Sequence, residues 1–336
     1  MAIKNFSYCA AAVSVAFLVG CSSQPVKRPG PAIPTRPSPG RTVPPKPIVL
    51  TDQTEEDYPT PPSAPEPPAP PPSAPLAADT PKKVAVVLGP GGAKAFAHVG
   101  VLKALQQNRI PIDKVVGIEW GALVGALFAV KGQVHDLEWK LYKMEQGHLP
   151  YPKGGLFSTK GPGEESAKVM DGFIQDSFGK EDISKSKTAF SCPSRTIWTG
   201  IVGWQTKGLY SDAIKRCLPY PPVFKAQGTF IAGASQTSEA IERLIKEGYN
   251  VIILVNVLGS AMPFAQENLV DNLNHVILWQ EIKRTVGEAA KYNVDVINVD
   301  TSPYPVVGFN AKKDLVLLGE KAGAAAASGL ISKYRF

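Results

Sequence analysis

Lys83-Val84-Ala85-Val86-Val87-Leu88-Gly89-Pro90-Gly91-Gly92 is the stretch on which the fold turns. Its apolar run does not alternate with polar residues, which marks a strand buried on both faces of a parallel sheet. Gly89-Pro90-Gly91-Gly92 ends that strand. From Ala93 to Gln107 the residues Phe96, Val99, Leu102 and Leu105 fall on one helical stripe, giving strand, glycine loop, helix. A second unit follows: Lys114-Val115-Val116, a turn from Gly117 to Gly121, then an almost wholly apolar helix from Ala122 to Ala129. Further strands are expected at Thr188 to Ser191, Thr196 to Gly200 and Val251 to Val257, with a helix from Ser238 to Glu247 before the last. This alternation predicts an α/β fold of three layers, a mostly parallel central sheet with helices on both faces.

The chain before this domain has another character. An early Lys4, an apolar run from Ala10 to Val19 and the small Gly20 make residues 1–20 a secretory signal peptide, too short to span a bilayer as a mature helix. Leu18-Val19-Gly20-Cys21 resembles the bacterial lipobox, so Cys21 is expected to be acylated, and several chains together anchor stably. Ser22 rather than aspartate after the cysteine directs the expectation to the periplasmic face of the outer membrane. Residues 21–81 hold about twenty of the chain's 32 prolines and few large apolar groups, the composition of a disordered linker. At ~3.1 Å per residue it could reach on the order of 150 Å.

Residues 82–336 are then one large domain. They carry 30 Lys+Arg against 23 Asp+Glu, so the whole net charge of +7 sits there. Such a surface suits lipid phosphates, cell-wall polymer or an acidic protein partner. No nucleic-acid motif is present. The four histidines, His98, His135, His148 and His275, are isolated and show no metal-ligand spacing, and no cofactor is implied. With Cys9 lost and Cys21 acylated, Cys192 and Cys217 remain, either bonded in an oxidising periplasm or as two buried thiols.

The loop Gly89-Pro90-Gly91-Gly92-Ala93-Lys94 lacks the closing residues of a P-loop and the third glycine of a dinucleotide fingerprint. Its backbone amides at a helix N-terminus still suit an anion. Extended to Leu105, this loop resembles the oxyanion segment of patatin-like phospholipases. The similarity continues through Gly154-Gly155-Leu156-Phe157, Arg216-Cys217-Leu218-Pro219, Pro222-Val223-Phe224 and Asp295 to Asp300, and so spans essentially the whole domain. The resemblance implies a serine at the centre of a Gly-x-Ser-x-Gly elbow and an aspartate base in an Asp-Gly-Gly/Ala turn. Here the elbow reads Gly117-Ile118-Glu119-Trp120-Gly121, and the second turn reads Ala232-Gly233-Ala234. Ala95 also replaces a usual glycine.

Glu119 is therefore expected to plug the anion site, held by amides near Gly91 and Gly92, the helix N-terminus and Lys94. Alanine at 232 can neither accept nor return a proton. Trp120 adds bulk where an acyl chain would lie. His98 reads as a packed helix residue, and Ser235 lacks the closing glycine of an elbow. The expectation is a pseudoenzyme acting as a scaffold or binding component of a periplasmic envelope assembly. A lipid-binding protein and a hydrolase with unorthodox residues are the alternatives.

Overall fold

The computed structural model describes residues 81–144, 164–220, 226, 228–259, 269–306 and 308–336. They belong to one compact unit, Pro70–Phe336. The expected signal peptide, Cys21, the linker to residue 80, and the segments 154–157 and 222–224 lie outside the described residues.

Seven strands are described: β1 (Val84–Leu88), β2 (Lys114–Gly117), β3 (Ala189–Thr196), β4 (Val202–Gln205), β5 (Phe230–Ala232), β6 (Val251–Asn256) and β7 (Asp295–Asn298). Among them run α1 (Ala97–Gln107), α2 (Trp120–Lys131), α3 (Val134–Tyr142), α4 (Glu164–Phe178), α5 (Tyr210–Cys217), α6 (Thr237–Lys246), α7 (Leu269–Ala289) and α8 (Lys312–Tyr334). The sheet order is β4-β3-β2-β1-β6-β7. The pairings β3-β2, β2-β1, β1-β6 and β6-β7 are parallel, while β4 and β5 both pair with β3 antiparallel.

Side-chain alternation sorts the two helical layers. From β1, Val84, Val86 and Leu88 enter a core shared with α1, α2 and α8. Ala85 and Val87 face Ala240, Ile241 and Leu244 of α6 and Ile282 of α7 on the other side. Since both faces are covered, every residue of β1 is buried, which is why its sequence shows no alternation. By length and composition α8 could cross a membrane. It nevertheless lies on α1, where Gly100 and Gly319 permit the approach: a Cβ on either would run into the other helix's backbone.

Two expectations differ locally. The region Thr196 to Gly200 is a turn rather than a strand, because β3 runs unbroken through Pro193 to Thr196 and then reverses into β4. Pro193 is tolerated because β2 has already ended, its last partner on β3 being Ser191, so the missing amide costs no bond to that parallel neighbour. The helix expected from Ala93 begins as a 3-10 turn, Gly92–Phe96, with α1 proper starting at Ala97.

Candidate functional site

The C-terminal ends of β1 and β2 lie side by side, Leu88 opposite Gly117, and each opens into a turn that leads to a helix. From β1 the partners diverge, β2 to one side and β6 to the other, the place where open α/β sheets form crevices. The Gly89 amide donates to Val255 O at 3.1 Å, fixing the start of the first turn. Gly92 has φ +55°, and a Cβ there would meet Val306 Cγ1 at 2.6 Å. The neighbouring Ala93 amide donates to Val306 O at 2.6 Å. The turn is therefore clamped from behind by the segment before α8, and the amides of Gly91 and Gly92 point to its other side.

The second turn is the sharp elbow. Glu119 precedes α2 with φ 55° and ψ −122°, a backbone that costs a residue with a side chain on the order of 1–3 kcal/mol. The flanking glycines make it sterically possible. A Cβ on Gly121 would approach Gly89 O at 2.8 Å, and one on Gly117 would press on the Ala122 backbone nitrogen at 2.6 Å. Bringing the Glu119 side chain to the first turn, this geometry lets Oε2 accept from the Gly91 amide at 3.0 Å and the Gly92 amide at 2.9 Å. Glu119 is 1% exposed. Burial raises its pKa from 4.5 to about 7, and the hydrogen bonds from the amides of Gly91, Trp120 and Gly92 pull against that rise without cancelling it.

Ala232 reaches the same edge by another route. Because β4 already holds one edge of β3 over Cys192–Arg195, β5 takes the opposite edge, the one β2 vacates after Ser191. Ala232, buried and opposite Ser194, thus stands just past the end of β2, beside the elbow. Tyr220, which no sequence pattern pointed to, is close enough for the charge of Glu119 to add to the burial that raises its phenol pKa. Tyr220 also lines a cavity of about 300 Å³ with Ala234, Ser235, Ile277, Gln280, Glu281 and Arg284.

Lys94 is fully buried, and its Nζ donates to Thr301 O at 2.9 Å. Its charge acts on Asp300, lowering that carboxyl's pKa after the larger effect of hydrogen bonds from Ser302. Its role is thus to tie the glycine loop to the segment after β7. His98 Nε2 donates to Gly89 O at 2.8 Å, and burial drops its pKa from 6.5 to about 4, so it is a neutral packing residue. Trp120 is buried with its ring 4.8 Å from that of Phe309, filling the space beneath the elbow. Ser235 is exposed and accepts from Arg195 Nη2 at 3.3 Å. Cys192 on β3 and Cys217 at the end of α5 form a disulfide, with Cα atoms 6.1 Å apart. Among the described residues no group of three or more His, Cys, Asp or Glu could hold a metal ion.

The model of the patatin-like phospholipase family matches residues 86–237, an interval that contains both turns and Ala232. Lysophospholipase nte1 of Neurospora crassa is 28% identical over 204 residues, covering 58% of this chain and 13% of the relative. Neuropathy target esterase sws of Drosophila melanogaster is 37% identical over 113 residues, covering 31% of this chain and 7% of the relative. The chain therefore spans only a small part of these relatives' length. Among solved structures, VipD from Legionella pneumophila aligns over 75% of this chain and 67% of its own at 11% identity, with a TM-score of 0.39.

Proposed function

The chain carries a patatin-like phospholipase domain over residues 86–237, and on that premise we propose that the domain binds without cleaving, as a lipid-anchored component of a periplasmic envelope assembly. One observation carries the reading. The two amides positioned to steady an oxyanion already donate to Glu119 Oε2, in a site closed to solvent. An incoming ester would have to displace a buried carboxylate from both donors before any charge could develop on its own oxygen.

The residue types agree with that geometry. Attack by a carboxylate on an ester gives a mixed anhydride, more reactive than the ester consumed, and the methyl group of Ala232 offers no place for a proton. In this reading the elbow, the glycine loop and the buried Trp120 persist because they hold the α/β layers together. Acylated Cys21 and the proline-rich linker keep the domain at the membrane while leaving it reach to its partner.

The test uses the purified full chain with a short-chain p-nitrophenyl ester and with phospholipid. No turnover above buffer is expected. Glu119→Ser should remain inactive, and activity should emerge only when Ala232→Asp is added. Turnover by the wild-type chain that vanishes on changing residue 119 refutes the reading. For the anchor, radiolabelled palmitate should enter the wild-type chain and fail to enter Cys21→Ser.

A further inference from the structure

The reversal between β3 and β4 presents Ile197, Trp198 and Ile201 to solvent, at 44%, 80% and 66% exposure. Three large apolar side chains within five residues are a costly surface unless something covers them. They are not on a loose loop. Thr196 N donates to Ile201 O at 3.0 Å and Gly200 N to Thr196 O at 2.9 Å, Thr199 Oγ1 accepts from the Ile201 amide at 3.3 Å, and Ile197 N bonds Thr229 O at 2.9 Å. The tip is braced so that the side chains point outward.

Its surroundings are basic. Arg195 Nη1 lies 3.8 Å from where a Cβ on Gly200 would stand, so its guanidinium sits against the turn itself. Arg216 stacks over the ring of Phe230, 5.0 Å to the centroid, and Phe230 pairs with Thr196 at the hairpin root. Arg195 and Arg216 are thus the two cations set beside the tip. The location is equally specific. Past its last pairing with β2 at Ser191, β3 continues five residues to Thr196, flanked there by β4 and β5, and the turn carrying the three apolar side chains closes that end of the strand.

We propose that this hairpin tip is a membrane-contact site, with Trp198, Ile197 and Ile201 entering the interfacial layer of an anionic phospholipid bilayer while Arg195 and Arg216 meet its phosphates. An indole beside aliphatic side chains matches the boundary between headgroups and acyl chains, and the flanking cations add attraction to anionic lipid. A protein partner would satisfy the apolar groups too, but the guanidinium groups of Arg195 and Arg216 beside the exposed indole favour an anionic lipid surface. The contact asks nothing of Glu119 or Cys21, so it stands or falls apart from the absence of catalysis.

The experiment places the purified full chain carrying Cys21→Ser, which removes any acyl anchor, on vesicles of phosphatidylcholine alone or mixed with phosphatidylglycerol, each containing brominated acyl chains that quench nearby indoles. Trp198→Phe, a change at an exposed position, isolates the signal of this residue from those of the other four tryptophans. Vesicle-dependent quenching should be strong with phosphatidylglycerol, weaken in high salt, and lose most of its amplitude in Trp198→Phe. Ile201→Glu should reduce it in the same direction while leaving the circular dichroism unchanged. Equal quenching with and without Trp198→Phe overturns the proposal, as does Trp198 quenching that is indifferent to lipid charge. A tip that stays unquenched on vesicles and becomes protected only when envelope proteins are added also overturns it, in favour of a protein partner.

Discussion

Replacing Glu119 by glutamine tests the buried carboxylate directly, because glutamine keeps the length of the side chain and an oxygen for the Gly91 and Gly92 amides but removes the titration. Glu119 moves from 4.5 to about 7 in the folded chain. Between those values the folded chain keeps a proton that the unfolded chain has released, so this group's contribution to stability is full below pH 4.5 and is lost as pH rises through 7. The whole loss is about 3 kcal/mol, of which about 2.5 kcal/mol falls between pH 5 and pH 8.5. His98 acts with the opposite sign. Its pKa is depressed from 6.5 to about 4, so the stability it contributes is present above 6.5 and lost as pH falls toward 4. Both proteins share His98, and the difference between them removes it. Urea unfolding of wild type and Glu119→Gln at the two pH values should therefore show wild type losing about 2.5 kcal/mol more than the variant on going to pH 8.5. Parallel pH dependences would mean that the carboxyl's pKa is not raised in the folded chain, which refutes the uncompensated burial argued here.

Gly121→Ala should lower stability by about 3 kcal/mol or more, or prevent folding, since its methyl would strike the carbonyl oxygens of Leu88 and Gly89; thermal unfolding measures this. Trp120→Ala should cost about 3–5 kcal/mol by emptying the space against Phe309, read from urea midpoints, and a loss below about 1 kcal/mol would show that the ring is not packed there. Cys192→Ser, which opens a cross-link between residues 25 apart in sequence, should lower stability by about 2–4 kcal/mol, and adding a reductant should bring the wild type to a similar value.

Legibility from sequence followed the range of the interactions involved. The unbroken apolar run of β1 and the glycines bounding both turns are short-range signals: a strand covered on both faces has no polar side, and a sharp turn has no room for a Cβ at Gly117 or Gly121. The strand expected at Thr196 to Gly200 fell in a turn because the length of β3 depends on its neighbours: Pro193 lies where β2 has stopped, so its missing amide breaks no bond to that strand. Tyr220, Thr301 and Val306 carried no signal, since each reaches the site from a distant segment and is recognisable only by what it touches.

By itself the sequence determined the chemical content of the site: an acid at residue 119, a methyl group at 232, and two glycine-bounded turns after adjacent strands. Tertiary structure decided what those residues do. The carboxylate meets amides 27 and 28 positions away, Lys94 turns to a carbonyl 207 residues on, and the reversal from β3 to β4 leaves Ile197, Trp198 and Ile201 exposed. Such contacts depend on which strands lie side by side, and strand order arises from packing two helical layers onto one sheet, a property of the whole chain that no local pattern of residues contains.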